Sequence, residues 1–478
     1  MDNSSAEQPA RPDPWWQELA ATWRGLTASR RRGLLAVACA TLLAFGSQFA
    51  EMPWRSALRG TDSSFYYFWL RSAMVHGDWD FRRDILECNT MPDDFRQLIL
   101  KDPPTPTGRQ ANKYGIGWSV LSVPPYLLAD GVVATGRGLG VWTLERDGYN
   151  PVYQIFIYTW HFLLALASLV LAWRVVTRWC GDREAALLGV VLLWAASPLP
   201  FYQTIKLSLS HSAAFFAVTL MCWSLMRAQD QRDRLAPWWL AGAGLGLAVI
   251  LRFQLAVFAV VPAWVWLRGA RDAGWGRTSV RAGMLVLGAG PLVFLQLFAW
   301  HVVYGTWLLS PYGAAGETFN WSDPQILPVL FSERHGLFYW HPLLLVGAAG
   351  FGWLAWRERG RGLLAAGLAA VLATVYVNAS WWCWWFASSF GSRAFEGACL
   401  FFMGGLAWLW VRARPAWREA LCAVFLAGAA WNFYIMALFY TMAIPRDPPV
   451  SWWEMLTSGG KGWEVVARWL QTAGMWRP

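Results

Sequence analysis

Apolar runs long enough to cross a membrane recur along most of the chain, and short clusters of arginine separate them. Hydrophobic residues make up 56% of the 478 positions and charged residues only 15%. Such a chain has far more apolar surface than one soluble core needs. The sequence therefore predicts an all-α polytopic membrane protein.

The apolar runs divide the chain into predicted membrane spans. A crossing helix needs about 20 apolar residues, and fewer when it is tilted or paired with another short segment. We predict about eleven spans, near residues 33–53, 151–175, 184–203, 209–226, 237–251, 254–267, 282–304, 338–356, 363–380, 394–411 and 419–441. The predicted organisation is a cytoplasmic segment (1–32), a membrane domain (33–441) and an outer C-terminal tail with an interfacial amphipathic helix (442–478).

The arginine clusters predict the orientation, because basic residues concentrate in cytoplasmic loops. They lie at 30–32, 227–234, 268–281, 357–361 and 412–418. Their position between spans also argues that the net charge of +10 reflects topology and not nucleic-acid binding. With these clusters inside, the longer irregular segments 54–113, 305–337 and 380–393 fall on the outer side, so the working face is predicted to be extracytoplasmic.

Two segments need a special path through the membrane. The apolar run from Trp238 to Leu267 is too long for one span and has basic clusters at both ends, so it must turn midway, at "LRFQ". Residues 114–134 are apolar, but a full crossing would reverse the topology. We therefore predict a re-entrant or surface-lying segment, broken at Pro124 and Pro125.

Acids, cations and aromatic rings from many separate segments converge on the predicted outer face. Charges there are favourable only where water or a partner receives them, which indicates a functional cavity. The residues concerned are Asp62, Asp78, Asp80, Arg82, Lys113, Lys206, His211, Arg252, Gln254, Tyr312, Glu317, His335, Trp381, Trp384 and Arg393.

Several of these residues lie in short motifs whose order resembles that of the polyprenyl-phosphate-sugar-dependent glycosyltransferases of the GT-C superfold, which include bacterial protein O-mannosyltransferases and aminoarabinose transferases. The motifs are "HGDWDF", "NKYGIGW" followed by "PPY", "SPLPFYQ", "LFSERHGLFYWHP" and "WWCWWFASSFGSR", within Gly33 to Tyr440. The chain departs from the pattern in two places: many relatives carry Asp-Glu where it has Asp62-Ser63, and many carry Glu in place of His211.

The resemblance implies a catalytic role for Asp62. Transfer of a sugar needs a base that takes the proton from the acceptor hydroxyl, and one carboxylate suffices for inversion. The residues alone leave a second interpretation open, because "TDSS" before "FYYFWL" is also a good helix start in which Asp62 caps amide groups.

Four basic residues are candidate ligands of the donor phosphate: Lys113, Lys206, Arg252 and Arg393. Their alternative is to extend from span ends to lipid headgroups. Arg252 and Arg393 are the stronger candidates because each follows an outer turn that the positive-inside rule would leave uncharged. For Arg393 a further alternative is that it simply pairs with Glu396, three residues later, on one face of a helix.

The remaining candidates are predicted to bind substrate, and they are Asp80, Arg82, His211, Gln254, Tyr312, His335, Trp381 and Trp384. For the histidines the alternative is a structural hydrogen bond, and for the tryptophans a place in the interfacial belt. Asp78 and Asp80 form an Asp-x-Asp, which in some glycosyltransferases holds a divalent metal, but turn chemistry with solvated acids is the preferred explanation because no second cluster of hard oxygen ligands is evident. No cofactor is required by this interpretation, and the seven scattered cysteines indicate neither disulfides nor a zinc site.

The sequence thus predicts an inverting glycosyltransferase of a bacterial inner membrane, which moves a sugar from a polyprenyl monophosphate to an extracytoplasmic glycan, lipid or protein. A transporter or lipid flippase is the alternative, since it would also have many spans and buried charges. Such proteins usually show an internal repeat and polar residues at mid-membrane, and neither is evident in this sequence.

Overall fold

A computed structural model describes residues 14–51, 58, 60–88, 91–358 and 362–472. Within these ranges the protein is built from helices and turns, and the β-bridge between Phe319 and Trp381 is isolated. The predicted all-α architecture is therefore confirmed.

The first part of the described chain contains three long helices, together with shorter ones. The helices are α1 (Trp15–Gly25), α2 (Ala28–Glu51), α3 (Thr61–Arg71), α4 (Arg82–Glu87), α5 (Asp93–Lys101), α6 (Gly117–Gly138) and α7 (Pro151–Cys180). A π-helical turn, Ser72–His76, extends α3.

The middle of the chain forms a compact group of packed helices. It consists of α8 (Arg183–Ala195), α9 (His211–Asp230), α10 (Ala236–Leu251) and α11 (Val260–Tyr304). A π-helical turn, Phe201–Ile205, precedes α9, and α11 is interrupted at Gly274, where φ is 73°. The predicted loop with the basic cluster at 268–281 is therefore a break between two helical stretches.

Short helices fill the segment that follows α11, and long helices return after it. The elements are α12 (Pro311–Ala314), α13 (Ile326–Phe331), α14 (Leu337–Trp340), α15 (Leu343–Arg357), α16 (Gly362–Ser380), α17 (Glu396–Arg412), α18 (Pro415–Tyr440), α19 (Trp452–Thr457) and α20 (Gly459–Thr472).

Six helices in the described ranges are long and apolar enough to cross a membrane. They are Ala28–Phe49, Pro151–Cys180, Gly274–Tyr304, Gly362–Ser380, Arg393–Arg412 and Pro415–Tyr440, and three shorter apolar helices accompany them, Ala236–Leu251, Phe253–Gly269 and Leu343–Arg357. The protein is thus a multi-pass membrane protein, while the total of eleven spans stays a prediction.

The apolar run from Trp238 to Leu267 turns where the sequence predicts. Helix α10 ends at Leu251, and Arg252 is extended, with φ −152° and ψ 111°. A 3₁₀ turn, Phe253–Ala259, then leads into α11. Gly242 of α10 lies against the Leu285 backbone of α11, where a Cβ would meet the carbonyl oxygen at 2.1 Å, so the two helices pack closely.

The predicted break at Pro124 and Pro125 is wrong, because α6 continues through both prolines. Each proline removes a helical hydrogen bond, a cost that neighbouring contacts must offset. On one side of the prolines the Ser119 hydroxyl donates to the Tyr66 carbonyl at 2.6 Å, and beyond them Tyr126 packs on Tyr153 with ring centroids 4.8 Å apart. Packing on both sides therefore keeps the helix continuous.

Helix α3 lies inside the protein and not along its surface, since every residue from Ser63 to Arg71 is buried. Two hydrogen bonds attach it to the segment before α6. The Asn112 side-chain amide donates to the Phe65 carbonyl at 2.9 Å, and the Trp69 indole donates to the Tyr114 carbonyl at 3.0 Å. These bonds bring Lys113 and Tyr114 next to the start of α3, where Asp62 lies.

Candidate active site

Asp62 is the second residue of α3, and its carboxylate points away from the helix backbone. Gly60 occupies the N-cap position and makes no side-chain capping bond. Asp62 Oδ1 accepts a hydrogen bond from the Tyr114 hydroxyl at 2.6 Å, and Oδ2 lies 3.2 Å from Nη1 of Arg393. The N-cap interpretation of Asp62 is therefore wrong, and its carboxylate joins three distant segments of the chain.

The surroundings of Asp62 keep it ionised. Burial acts to raise the pKa of this carboxyl, but the Arg393 charge, the Tyr114 hydrogen bond and the Lys113 charge together outweigh it. The pKa of Asp62 therefore lies below its ordinary value. Its side chain remains 32% exposed, so an ionised carboxylate is accessible to a ligand.

Arg252 lies in a second ionic group, in which its partners Glu396 and His211 are buried. Its Nε is 2.9 Å from Glu396 Oε1, and its Nη1 is 3.2 Å from the ring nitrogens of His211. With the Gln254 amide in the orientation that its neighbours require, the amide oxygen also accepts from Arg252 Nε at 3.0 Å. Glu396, His211 and Gln254 together hold the Arg252 guanidinium in one position.

The alternative in which Arg393 simply pairs with Glu396 is wrong. Arg393 opens a 3₁₀ turn, Arg393–Phe395, and α17 begins at Glu396. The two side chains have different partners, since Glu396 lies against Arg252 and Arg393 against Asp62.

A third ion pair joins Lys113 to Glu317, a residue of the segment after α12. The second carboxylate oxygen of Glu317 accepts from the Trp381 indole at 2.8 Å. Backbone bonds from Asn320 to Ser380 at 2.6 Å and from Trp382 to Thr318 at 3.0 Å hold the two segments beside each other. Lys113, Glu317 and Trp381 are thus fixed as one unit.

Tyr312 lies beside the Lys113–Glu317 pair, with its ring centre 6.0 Å from Lys113 Nζ and 6.1 Å from the Trp381 ring centre. Burial raises the pKa of Tyr312, and the charges of Arg252, Glu317, Asp62 and Arg393 act on it as well. The two arginines and the candidate base therefore share one region, which we call the polar chamber: Asp62, Lys113, Tyr114, Arg252, Tyr312, Glu317, Arg393 and Glu396. Its described cations and carboxylates are equal in number.

His335 and Trp384 belong to a neighbouring group. His335 Nδ1 lies 2.8 Å from the Trp385 carbonyl, and Trp384 packs edge-on against Trp385 at 5.6 Å. Burial lowers the pKa of His335 to about 4, so this imidazole is neutral at physiological pH. Asp447 accepts from the Trp385 indole at 3.0 Å, which attaches the C-terminal tail to the group.

Backbone strain marks the segment that leads to Arg393. Phe386 and Ala387 adopt positive φ values of 64° and 52°, and His335 opposite them has φ 64°. Such conformations cost free energy and persist only where surrounding contacts impose them. The His335–Trp385 hydrogen bond is one of those contacts.

Asp80 and Arg82, which the sequence predicts to bind substrate, belong with Asp78 to a hydrogen-bonded turn. Asp78 Oδ1 accepts from the Asp80 amide at 3.0 Å, and Asp80 Oδ1 accepts from the Arg82 amide at 3.3 Å, as the turn-capping alternative requires. Lys206 follows the π-helical turn and is half-buried. In the described ranges, no group of three or more His, Cys, Asp or Glu could hold a metal ion.

Tyr114 is the residue of the chamber that sequence reasoning missed. It follows Lys113 in "NKYGIGW", but nothing in that string indicates which carboxylate its hydroxyl meets. The only available signal was its position beside a candidate phosphate ligand.

No protein-family model matches the chain, and no curated protein matches it. Several solved structures are similar to the chain. The archaeal oligosaccharyltransferase AglB from Archaeoglobus fulgidus, in complex with an inhibitory peptide and a dolichol-phosphate, is 14% identical with a TM-score of 0.50 over 91% of this chain and 59% of that chain. ArnT from Cupriavidus metallidurans, bound to undecaprenyl phosphate, is 15% identical with a TM-score of 0.50 over 92% of this chain and 72% of that chain.

Both neighbours are GT-C glycosyltransferases, so the GT-C fold that the motif order predicts is confirmed. The chain spans about three fifths of the length of AglB. Similarity at 14–15% sequence identity shows the fold alone.

Proposed function

We propose that the protein is an inverting glycosyltransferase that moves a sugar from a polyprenyl monophosphate to an acceptor hydroxyl. The observation that carries the proposal is the accessible, ionised Asp62 carboxylate beside Arg393, in a chamber that also holds Arg252 and Lys113. A base and several cations within one GT-C fold are what this reaction needs.

The chemistry uses one proton acceptor and one anion site. Asp62 takes the proton of the acceptor hydroxyl as its oxygen attacks the anomeric carbon of the donor. The bond between that carbon and the phosphate oxygen breaks, and the polyprenyl phosphate leaves as an anion. Because the leaving group departs with the electron pair and needs no proton, a second catalytic carboxylate is unnecessary.

The cations of the chamber stabilise the leaving phosphate. Arginine suits this task because its planar guanidinium can donate two parallel hydrogen bonds to a phosphate. Arg393 is the first candidate, since it already lies 3.2 Å from the base, and Lys113 and Arg252 supply further positive charge. With these cations present, we expect no requirement for a divalent metal.

The two structural neighbours support the class of donor. AglB is described with a dolichol-phosphate and ArnT with undecaprenyl phosphate, both polyprenyl monophosphates. For this chain we propose the same carrier class, a bacterial inner membrane and a chamber that opens to the extracytoplasmic side. Trp381 and Tyr312, whose ring centroids are 6.1 Å apart, offer apolar faces on which a sugar ring can lie.

The test is a transfer assay with purified protein in nanodiscs. Undecaprenyl-phosphate sugars of several kinds are supplied with mixtures of lipid, glycan and peptide acceptors, and mass spectrometry measures released undecaprenyl phosphate together with the glycosylated product. We expect stoichiometric release and transfer with at least one donor, and unchanged rates in EDTA. Movement of intact lipid-linked sugar across vesicles without release of the phosphate would identify a flippase and contradict the proposal.

A further inference from the structure

Every chamber cation that is proposed to bind phosphate already has a carboxylate partner. Lys113 pairs with Glu317, Arg252 with Glu396 and Arg393 with Asp62. A phosphate that enters this chamber finds no unneutralised charge among these three, so it must take a cation from its present partner. One of these three ion pairs must therefore separate when the phosphate binds.

The Arg393–Asp62 pair is the one most open to exchange. Glu396 and Glu317 are only 1% and 9% exposed, whereas the Asp62 side chain is 32% exposed. The closest Arg393–Asp62 contact, 3.2 Å, is also longer than the usual charge-assisted hydrogen bond of about 2.8 Å. Separation of this pair leaves Asp62 in contact with solvent or substrate, while separation of either other pair would leave a buried carboxylate uncompensated.

The two oxygens of Asp62 have separate partners. Tyr114 donates to Oδ1 at 2.6 Å, and Arg393 occupies Oδ2. Loss of Arg393 therefore frees one oxygen while the Tyr114 hydroxyl keeps the carboxylate in position. The freed oxygen is the one that can accept a proton.

We propose that the donor phosphate takes Arg393 from Asp62, so that donor binding itself uncovers the base, and that Tyr114 is the positioning residue that holds Asp62 during the exchange. This inference rests on the proposed function. A phosphodiester offers Arg393 two free oxygens in place of one, so bidentate contact favours the exchange. Departure of the Arg393 charge also removes one cause of the low pKa of Asp62, which makes the carboxylate a stronger base only when the donor is present.

The first experiment measures undecaprenyl phosphate binding to the full-length protein in nanodiscs by microscale thermophoresis. If phosphate and Asp62 compete for Arg393, Asp62→Asn binds this ligand more tightly, by about tenfold, the size expected of one charge-assisted hydrogen bond. Glu317→Gln is the matched control, because it removes a carboxylate from another ion pair of the same chamber. Unchanged or weaker binding by Asp62→Asn, or an equal gain in Glu317→Gln, would overturn the exchange.

A double-mutant cycle assigns the effect to Arg393. In an Arg393→Gln background the additional Asp62→Asn change should give no gain in affinity, because the shared cation is absent. If Arg393→Gln fails to fold, Arg393→Lys replaces it, and the gain should then be smaller than in wild type. A full tenfold gain in either background would contradict the proposal.

Tyr114→Phe tests the positioning role. We expect unchanged affinity for undecaprenyl phosphate, an unchanged unfolding temperature and a kcat lowered about tenfold, since one neutral hydrogen bond to the base is lost. A changed KM at constant kcat would assign Tyr114 to binding and overturn its role. Absence of undecaprenyl phosphate binding in every form would refute the proposed function itself, whereas equal binding by wild type and Asp62→Asn would refute only the exchange.

Discussion

Helix α3 contributes to an aspartate–arginine pair near each of its ends. We call such a pair saturated when every nitrogen of the guanidinium has a hydrogen-bond acceptor, and the two pairs differ in this respect. At the C-terminal end of α3, Arg71 donates to Asp84 at 2.7 Å, to Glu87 at 2.6 Å and to the Asp147 carbonyl at 2.7 Å. Its guanidinium also lies 4.0 Å from the centre of the Tyr149 ring. At the start of the helix, Asp62 meets Arg393 at 3.2 Å.

The two pairs also differ in how deeply their side chains are buried. The Arg71 and Asp84 side chains are 2% and 0% exposed, whereas those of Arg393 and Asp62 are 15% and 32% exposed. A buried arginine with an acceptor at each nitrogen has no capacity left for a ligand, and its partners serve the fold. A looser pair with an accessible carboxylate can change partners. Saturation therefore distinguishes the structural network from the candidate active site.

The largest expected effect concerns the saturated pair. Asp84→Asn leaves the Arg71 charge buried and poorly compensated, which should lower the free energy of unfolding by about 3–5 kcal/mol. Unfolding in detergent, followed by tryptophan fluorescence, measures the change. Asp78→Asn, which removes a half-buried turn-capping carboxylate of the same segment, is the control and should cost much less. Equal losses in the two variants would erase the distinction between the pairs.

Arg393→Gln sharpens the comparison from the other side. Removal of a cation that contacts the leaving phosphate should lower kcat/KM on the order of 10- to 100-fold, because a charged hydrogen bond is lost. Initial rates of polyprenyl phosphate release measure this effect. The variant should unfold close to the wild-type temperature, and a wild-type rate combined with severe destabilisation would place Arg393 with Arg71 among the structural residues.

The pH dependence of the reaction should report on Asp62. Burial acts to raise the pKa of Asp62, but Arg393, Tyr114 and Lys113 lower it by more than burial raises it. The carboxylate therefore stays ionised until the pH falls below 3.8, the ordinary pKa of an aspartate. The acid limb of kcat/KM, which reports the free enzyme, is therefore expected below that pH. In Arg393→Gln the limb should move to higher pH. A limb well above pH 3.8 in the wild type would show that another group is the base.

The smallest expected effect concerns Glu87, the exposed carboxylate partner of Arg71. Glu87 is 47% exposed, so its pair with Arg71 is partly screened by solvent. Glu87→Gln should lower the free energy of unfolding by less than about 1 kcal/mol, and high salt should reduce the difference further. A loss as large as that of Asp84→Asn would contradict the role of burial in this account.

Features governed by composition and topology could be predicted from the sequence. The turn at Arg252 follows from basic clusters at both ends of one apolar run, and the helical fold follows from the apolar runs themselves. The order of short motifs predicted the GT-C fold although no single motif is specific. These features depend on local patterns that persist whatever the details of packing.

Side-chain partners could not be predicted in the same way. Lys113 meets Glu317 and Asp62 meets Arg393 across long stretches of sequence, and no spacing encodes such contacts. Local patterns failed where tertiary contacts decide the outcome. Helix α6 continues through Pro124 and Pro125 because neighbouring helices hold it, and Glu396 pairs with Arg252 of another segment while Arg393 faces Asp62.

Asp62, with its accessible carboxylate, is proposed to be the base of the reaction. The most direct test is the specific activity of folded, purified Asp62→Asn in the transfer assay, normalised to protein that elutes as a single species. We predict a loss of at least about a hundredfold in kcat, with an unfolding temperature close to that of wild type. Full transfer activity in this variant would contradict the account.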